Sequence, residues 1–486
     1  MLNRNMIANH RAAVLVGMIL FILAGCSAVG PQYVREDPSV SPAWHTRLTD
    51  GLEDRQVDPQ ELAQWWTMLD DPVLTGLVER AIESNLDLKE ARVRLNEARS
   101  RRSIAGADRF PTLGARASAG KSRSSEDSGN GLERESYATG FDAAWELDLF
   151  GGVRRALEAA QSDYEATRED LNDVLVSISA EVALNYVEVR TFQERIEVNE
   201  TNLAILNETY ELVQSRAQAG LDDELAVFQA RVNLESTRAQ IPSLRSGLEE
   251  GMNRLALLLG EQPGALHAEL EKARPIPVTP LEVAVGVPAD ILRRRPDVRS
   301  TERELAAQTA RIGVATADLY PKITFSGSIG LDALSLDNLF TAGSRTWSYG
   351  PGIRWQVFNA SAIRANIEVQ SALQEQALIR YEAAVLAALE EVENALVDYA
   401  HEQQRREALI QAVDAARQAF ELAQYKYQAG LTDFSTVLDS QRTLLSHQDQ
   451  LAQSNGSVTT NLIRLYKALG GGWIPMVPEV SDKSAS

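Results

Sequence analysis

Apolar and polar residues alternate over four short stretches of the chain, each close to the about 9–11 residues that a tilted membrane strand needs. In 137–147 (YATGFDAAWEL), Tyr137, Thr139, Phe141, Ala143, Trp145 and Leu147 alternate with Ala138, Gly140, Asp142, Ala144 and Glu146. In 322–332 (KITFSGSIGLD), Ile323, Phe325, Ile329 and Leu331 oppose Lys322, Thr324, Ser326, Ser328 and Gly330. In 347–359 (WSYGPGIRWQVFN), Trp347, Tyr349, Ile353, Trp355 and Val357 oppose Ser348, Gly350, Arg354 and Gln356. The faintest pattern is 112–122 (TLGARASAGKS), with Leu113, Ala115, Ala117 and Ala119 against Arg116 and Ser118. Side chains on a strand alternate faces, so each stretch predicts a strand with one apolar and one wet face.

Such strands suit a soluble sandwich whose apolar face is covered by another layer. They equally suit a membrane barrel with lipid outside and a water-filled lumen inside. Four strands cannot close a barrel, and hydrocarbon does not tolerate the unpaired backbone groups of an open edge. The smallest membrane barrels have about 8 strands, so the chain must share one with copies of itself. Two, three or four copies would all serve, and the strand pattern does not choose among them.

The rest of the chain has the period of a helix. From 153 to 219, and again from 360 to 429, there is neither Gly nor Pro. Ala, Glu, Leu, Gln and Arg dominate, the strong helix formers, and each run predicts a rod of roughly 100 Å. Both rods close on a glycine, Gly220 and Gly430, as helices commonly do. Asp222 or Asp433 then opens a return helix, since an acid suits the positive end of the helix dipole. Pro242 falls inside the first return helix and predicts a kink there. Along the second rod, Ala377, Tyr381, Ala384, Ala388, Ala395 and Tyr399 form one stripe. Val385, Leu389, Val392 and Leu396 form a second beside it. Two adjacent seams predict neighbours on both sides, as in a ring of coiled coils.

The chain is also written twice. LDLKEARVRLNEARSRRSIAGADRFPTL (86–113) lies on PDVRSTERELAAQTARIGVATADLYPKI (296–323) at a shift of 210. The same shift lays Ala219-Gly220-Leu221 on Ala429-Gly430-Leu431, and RLALLLG (254–260) on RLYKALG (464–470). A constant shift points to a duplicated unit. Each unit reads as a short helix, two strands and two long helices.

At the N-terminus Arg4 and Arg11 precede the apolar run Ala12–Gly25, the layout of a secretory signal and too short to span a bilayer comfortably. The one cysteine of the chain follows at once, in Leu23-Ala24-Gly25-Cys26. This order looks like a bacterial lipobox, with N-acyl and S-diacylglycerol groups on Cys26 as the anchor. Ser27 after it implies export to the outer membrane. A single cysteine leaves no disulfide framework. With 68 acidic against 48 basic residues the net charge is −20, which argues against nucleic acid as a partner.

These features resemble the lipoprotein branch of the outer membrane factor (TolC-like) family. The matching pieces are CSAVGPQY (26–33), WWTMLDDPVLTGLVERAIESNLDL (65–88), DILRRRPDVRSTERELAAQTARIGVATADLYPKIT (290–324) and LYKALGGGW (465–473). The resemblance implies a homotrimer with a twelve-stranded barrel in the outer membrane and a periplasmic tube of twelve helices. It implies a closed end opened by a periplasmic adaptor and an inner-membrane transporter. YQAGLTDFSTVLDSQR (427–442) is similar to the family's second turn, which puts Asp439 on an aspartate ring at the pore entrance. Carboxylates converging there would raise one another's pKa and bind cations. Tyr427 and Arg442 are candidate gate contacts. Asp222, Asp223 and Glu224 of the first unit form an acidic cluster at the same end, either for the adaptor or as helix-start charges, and with Asp433 they are candidate tip contacts. Ser435 and Thr436 depart from the family, where a Leu and a second acid are common.

The expected division is a signal peptide at 1–25 and a lipidated N-terminal and equatorial segment at 26–84. The first repeat follows at 85–260, a linker at 261–295, the second repeat at 296–472 and a tail at 473–486. No enzyme chemistry is expected. GARASAGKS (114–122) has five residues between Gly114 and Gly120 where a P-loop needs four, and it lies in a strand pattern. His401-Glu402 has Arg405 where a zincin needs its second His. Beyond the signal only His45, His267, His401 and His447 remain, widely spaced, so neither a triad nor a metal site is expected. RRR (293–295) before Pro296 reads as a salt-bridging anchor for the helix start. The sequence thus predicts a mostly α chain with a share of a membrane β-barrel, acting as a passive efflux exit duct. The competing reading is a periplasmic coiled-coil adaptor lipoprotein without a pore.

Overall fold

The computed structural model describes residues 28–36, 40–55, 58–277 and 283–473. The expected signal peptide, Cys26 and nearly all of the expected tail lie outside these residues. Helix α1 (Leu86–Ala107) leads into strands β1 (Thr112–Arg123) and β2 (Glu133–Leu147). The long helix α2 (Gly152–Gln218) and its return α3 (Glu224–Leu258) follow. The order then repeats as α4 (Pro296–Ala317), β3 (Lys322–Ala333), β4 (Arg345–Arg354), α5 (Ala360–Gln428) and α6 (Phe434–Ala468). α1 and α4 each have 22 residues, and α3 and α6 each have 35.

Two units divide the described chain. The first draws on Met1–Asp37, Arg94–Arg168 and Ser300–Glu382, and the second on Pro38–Val93, Glu169–Arg299 and Ala383–Ser486. In the first unit the strands form one antiparallel sheet in the order β1-β2-β3-β4. Its register lines up the apolar positions of every strand. Ala115, Phe141, Ile329 and Trp347 stand in one row, Trp145, Phe325 and Pro351 in another, and Leu147, Ile323 and Ile353 in a third. The alternate rows are polar, with Asp142, Ser328 and Ser348 abreast. There Arg116 pairs with Asp142 at 3.1 Å, and the Ser328 and Ser348 hydroxyls meet at 2.8 Å. Phe141, Phe325, Ile329, Trp347 and Tyr349 are all exposed. Among the described residues of this unit no helical layer covers this apolar face, as a sandwich would require.

The strand expected over 347–359 is corrected at its end. β4 stops at Arg354, opposite Lys322, because the next position on β3's side is Pro321, which has no N–H to continue the ladder. Trp355 and Val357 therefore lie beyond the strand. The Trp355 Nε1–H donates to the carbonyl of Leu319 at 3.0 Å, and the Trp145 Nε1–H donates to that of Arg109, also at 3.0 Å. Each indole thus ties the foot of a strand to the end of the helix that precedes its hairpin.

The second unit is helical around a large apolar core. Trp65 is fully buried and stacks on Tyr466 with ring centroids 5.5 Å apart. A short parallel bridge joins Leu52–Glu53 to Val283–Ala284. Arg295 is buried and acts as the helix-start anchor expected of RRR. Its guanidinium donates to Asp297 and to the Ala468 carbonyl, and lies 2.7 Å from Glu391. Along α5 the two expected seams merge into one buried stripe of Ala377, Tyr381, Val385, Ala388, Val392, Leu396 and Tyr399. Ala384 and Leu389 are only half-buried, while Val369, Ile379 and Leu386 on the same helix are exposed. One chain covers one side of the rod only. Pro242 sits inside α3 without ending it.

Gly140 and Gly330 face each other across β2 and β3. A Cβ on Gly140 would come within 2.5 Å of the Ile329 oxygen, and one on Gly330 within 2.5 Å of the Thr139 oxygen. Close backbone approach of this kind excludes a side chain. Gly330→Val is expected to destabilise the sheet by about 1–3 kcal/mol, read as a lower thermal midpoint of the β signal by circular dichroism in detergent. Gly350→Val, where nothing lies within 4 Å, should leave the midpoint in place; equal midpoints for the two variants would refute the packing account.

Candidate functional site at the two helical turns

Both long helices stop in the same way. α2 and α5 end at Gln218 and Gln428, and Gly220 and Gly430 follow with φ of +73° and +71°. The Leu221 N–H returns to the Arg216 carbonyl at 2.9 Å and the Leu431 N–H to the Lys426 carbonyl at 2.8 Å. The glycine N–H groups bond Ala217 and Tyr427 in the same pattern. This is the Schellman arrangement, and the left-handed residue at its centre favours glycine.

The two turns then diverge. Asp223, not Asp222, caps the first return helix, its carboxylate accepting from the Ala226 N–H at 2.9 Å. Asp433 occupies the corresponding place before α6 with no side-chain cap bond. Asp222 is free for another task because its neighbour does the capping. It accepts from Arg216 Nε at 2.8 Å and from the Tyr427 hydroxyl. The Arg216 guanidinium also lies over the Tyr427 ring, 4.7 Å from its centroid. A cation, a carboxylate and a phenol therefore lock the first turn to the end of α5. Burial, and then the bond to Asp222, push the Tyr427 hydroxyl pKa well up, so it stays a donor.

Beneath this lock lies a small apolar core that includes Val213, Ala230, Phe420, Tyr427, Phe434 and Leu438. Further from the turns, Arg442 Nε donates to Asn233 Oδ1 at 2.7 Å, joining α6 to α3. Glu224 opens α3 and is exposed. Asp439 is exposed on α6; its carboxylate makes no hydrogen bond or ion pair among the described residues and takes no part in the lock. The structure thus joins Asp222 with Tyr427, gives Arg442 a different partner, and leaves Glu224, Asp433 and Asp439 facing solvent. Arg216 and Asn233 were not anticipated. A basic residue in the last turn of a helix is a signal for Arg216, since it suits the negative end of the dipole; nothing in the local sequence marks Asn233.

Residues 77–261 and 287–471 each match the family described as "Outer membrane efflux protein", and both ends of the second match lie 210 residues after those of the first. The solvent efflux pump outer membrane protein SrpC of Pseudomonas putida is 34% identical over 459 residues, covering 93% of this chain and 97% of that protein. Nodulation protein T of Rhizobium leguminosarum bv. trifolii is 32% identical over 461 residues, with 94% and 96% covered. Among solved structures, the outer-membrane channel OprN superposes with a TM-score of 0.87 at 37% identity, covering 92% of this chain and 100% of that one. Each of these comparisons covers more than nine-tenths of the chain, and the chain belongs to the outer membrane efflux protein family.

Proposed function

We propose that this chain is the passive exit duct of a tripartite efflux or secretion system, a homotrimer in which each copy lends four strands to one twelve-stranded outer membrane barrel. The observation that carries this reading is the sheet register. It gathers Phe141, Trp145, Phe325, Ile329, Trp347 and Tyr349 on one uncovered face, and β1 and β4 each keep an unpaired outer edge. Hydrocarbon accepts such a face only where every edge is closed. Among the described residues no helix is long and apolar enough to cross a membrane, so the sheet is the membrane-facing element of this reading. An adaptor without a pore would have no use for it.

Three features support copies arranged around an axis. α4 is buried along its length, at Val298, Leu305, Ala307, Ala310 and Ala315, while its counterpart α1 is buried only at Leu88 and Ala91 and exposes Val93 and Ile104. The exposed Val369, Ile379 and Leu386 of α5 make a second uncovered surface. The equal helix lengths, the paired indole bonds and the twofold family match support descent of the chain from one duplicated unit, so each copy would repeat its own pattern as it closes the ring.

In this reading the two turns form the entrance. The Arg216–Asp222–Tyr427 lock holds it narrow, Asp439 from each copy lines it, and the adaptor and inner-membrane transporter supply the energy. Three like charges on an axis attract cations. Cys26 carries the lipid anchor. No catalytic step is assigned to the chain.

The purified protein should migrate as an SDS-resistant, heat-modifiable trimer and pass single-channel current in planar bilayers; a monodisperse, water-soluble monomer without current would sink the reading. In the same bilayers Asp222→Ala should open more often, and Asp439→Ala should weaken block by divalent cations added on the periplasmic side. Unchanged opening or unchanged block removes the respective residue from the entrance. Cys26→Ser should abolish palmitate labelling of the chain, and labelling at the wild-type level would refute the lipid site.

A further inference from the structure

One pairing in the sheet has no hairpin behind it. β1–β2 and β3–β4 are joined by short loops, but β2 and β3 belong to different repeats, with both long helices of the first repeat between them in the chain. Closing so long a loop costs more entropy than closing a hairpin. β2 runs directly into α2, and α4 runs directly into β3. Whatever holds the start of α2 against α4 therefore holds the central seam of the sheet.

The described N-terminal segment, 28–36, lies across both helices. On the α2 side the Val29 N–H donates to the Phe150 carbonyl at 3.0 Å. Arg155 donates from Nε to the Val29 carbonyl at 3.1 Å and from Nη2 to the Gly30 carbonyl at 3.2 Å. The Arg155 side chain is 4% exposed, so these are buried, charge-assisted bonds. Ala28 presses on Gly151, where a Cβ would fall 2.5 Å from the Ala28 Cβ. On the α4 side Gly30 meets Gly313 so closely that a Cβ on Gly30 would lie 2.5 Å from the Gly313 Cα. A Cβ on Gly313 would strike the Arg155 side chain at 2.8 Å. The Tyr33 hydroxyl donates to Glu302 at 2.9 Å, Arg35 lies 3.4 Å from the same carboxylate, and Arg303 covers the Tyr33 ring at 5.4 Å. Burial, and then Glu302, push the Tyr33 hydroxyl pKa up, keeping it a donor.

We propose that residues 28–35 are a staple across the junction of the two repeats, with Arg155 as its positioning residue, holding α2 on α4 and so β2 on β3. The offset between repeats sharpens the point. The positions equivalent to Arg155 and Gly313 are Ala365 and Ser103, which supply neither the clamp nor the close approach. The staple is built for this one groove. Phe150, stacked on Tyr320 at 4.6 Å, continues it toward the sheet.

The test uses the full-length protein in detergent, compared with three changes. Arg155→Ala removes the clamp, and a Gly/Ser stretch of equal length replaces 29–35 while Cys26 is kept. Glu158→Ala removes only the half-exposed outer partner of Arg155, 2.8 Å away. Tryptic cleavage after Arg35 should be at least roughly tenfold faster in Arg155→Ala, the loss expected for even one charge-assisted hydrogen bond, and unchanged in Glu158→Ala. The Gly/Ser chain should lose the heat-induced mobility shift that reports a formed sheet. Should Arg155→Ala fail to accumulate, Tyr33→Phe asks the same question from the α4 side and should also speed cleavage. Wild-type cleavage in the substituted chain, or a full mobility shift with the Gly/Ser stretch, would overturn the staple. The mobility shift rests on the proposed barrel; a wild-type chain that shows no shift tells against the barrel, and the cleavage arm still reports on the staple. Palmitate labelling of every variant separates a lost anchor from a lost staple.

Discussion

An unpaired N–H or C=O in hydrocarbon costs several kcal/mol, because no water is there to replace the missing partner. A four-stranded sheet with one apolar face has two edges of such groups. Among the described residues neither edge of this sheet is covered by another strand. The aromatic and aliphatic rows make water a poor solvent for the face, and the edges make lipid a poor solvent for a single copy. The proposed partnership between copies would satisfy both demands at once. The uncovered flank of α1 and the exposed apolar positions of α5 are the helical counterpart of those open edges.

The two helical turns show how similar backbones can carry different side-chain chemistry. Both ends of the long helices use the same glycine, the same left-handed φ and the same pair of backbone bonds. The difference lies in the side chains at equivalent positions. Asp222 stands opposite Thr432, Arg216 opposite Lys426, and Tyr427 opposite Ala217. Each half contributes what the other lacks, so the polar lock forms once per chain, between the halves. A lock of polar groups near solvent can be opened more cheaply than an apolar core, since water can take over the freed hydrogen bonds. That suits the entrance role proposed for the two turns.

The same logic separates the two ends of unit one. Hairpin pairing is local and largely pays its own way, whereas the β2–β3 seam joins segments remote in the chain. Its supports are correspondingly non-local: Arg155 on the carbonyls of Val29 and Gly30, Tyr33 on Glu302, Phe150 on Tyr320. A segment that follows Cys26 closely in sequence thus contributes to the part of the sheet that is hardest to close.

Much of this was legible in the residues alone. Period-two alternation located all four strands and their apolar faces, because burial or lipid contact on one side imposes it residue by residue. The gaps in Gly and Pro located the rods, and a constant shift of 210 revealed the two halves, because helix propensity and duplication are properties of the chain itself. Partnerships were not legible. Nothing near Asp222 says that Asp223 will cap the helix and leave it to Arg216 and Tyr427, and nothing near Trp355 says that Pro321, just before β3, ends its ladder. Arg155 reads as one more charge on a helix until the carbonyls of Val29 and Gly30 are beside it. These outcomes depend on which remote groups come within about 3 Å of one another, the reach of a hydrogen bond, and only the folded chain decides that.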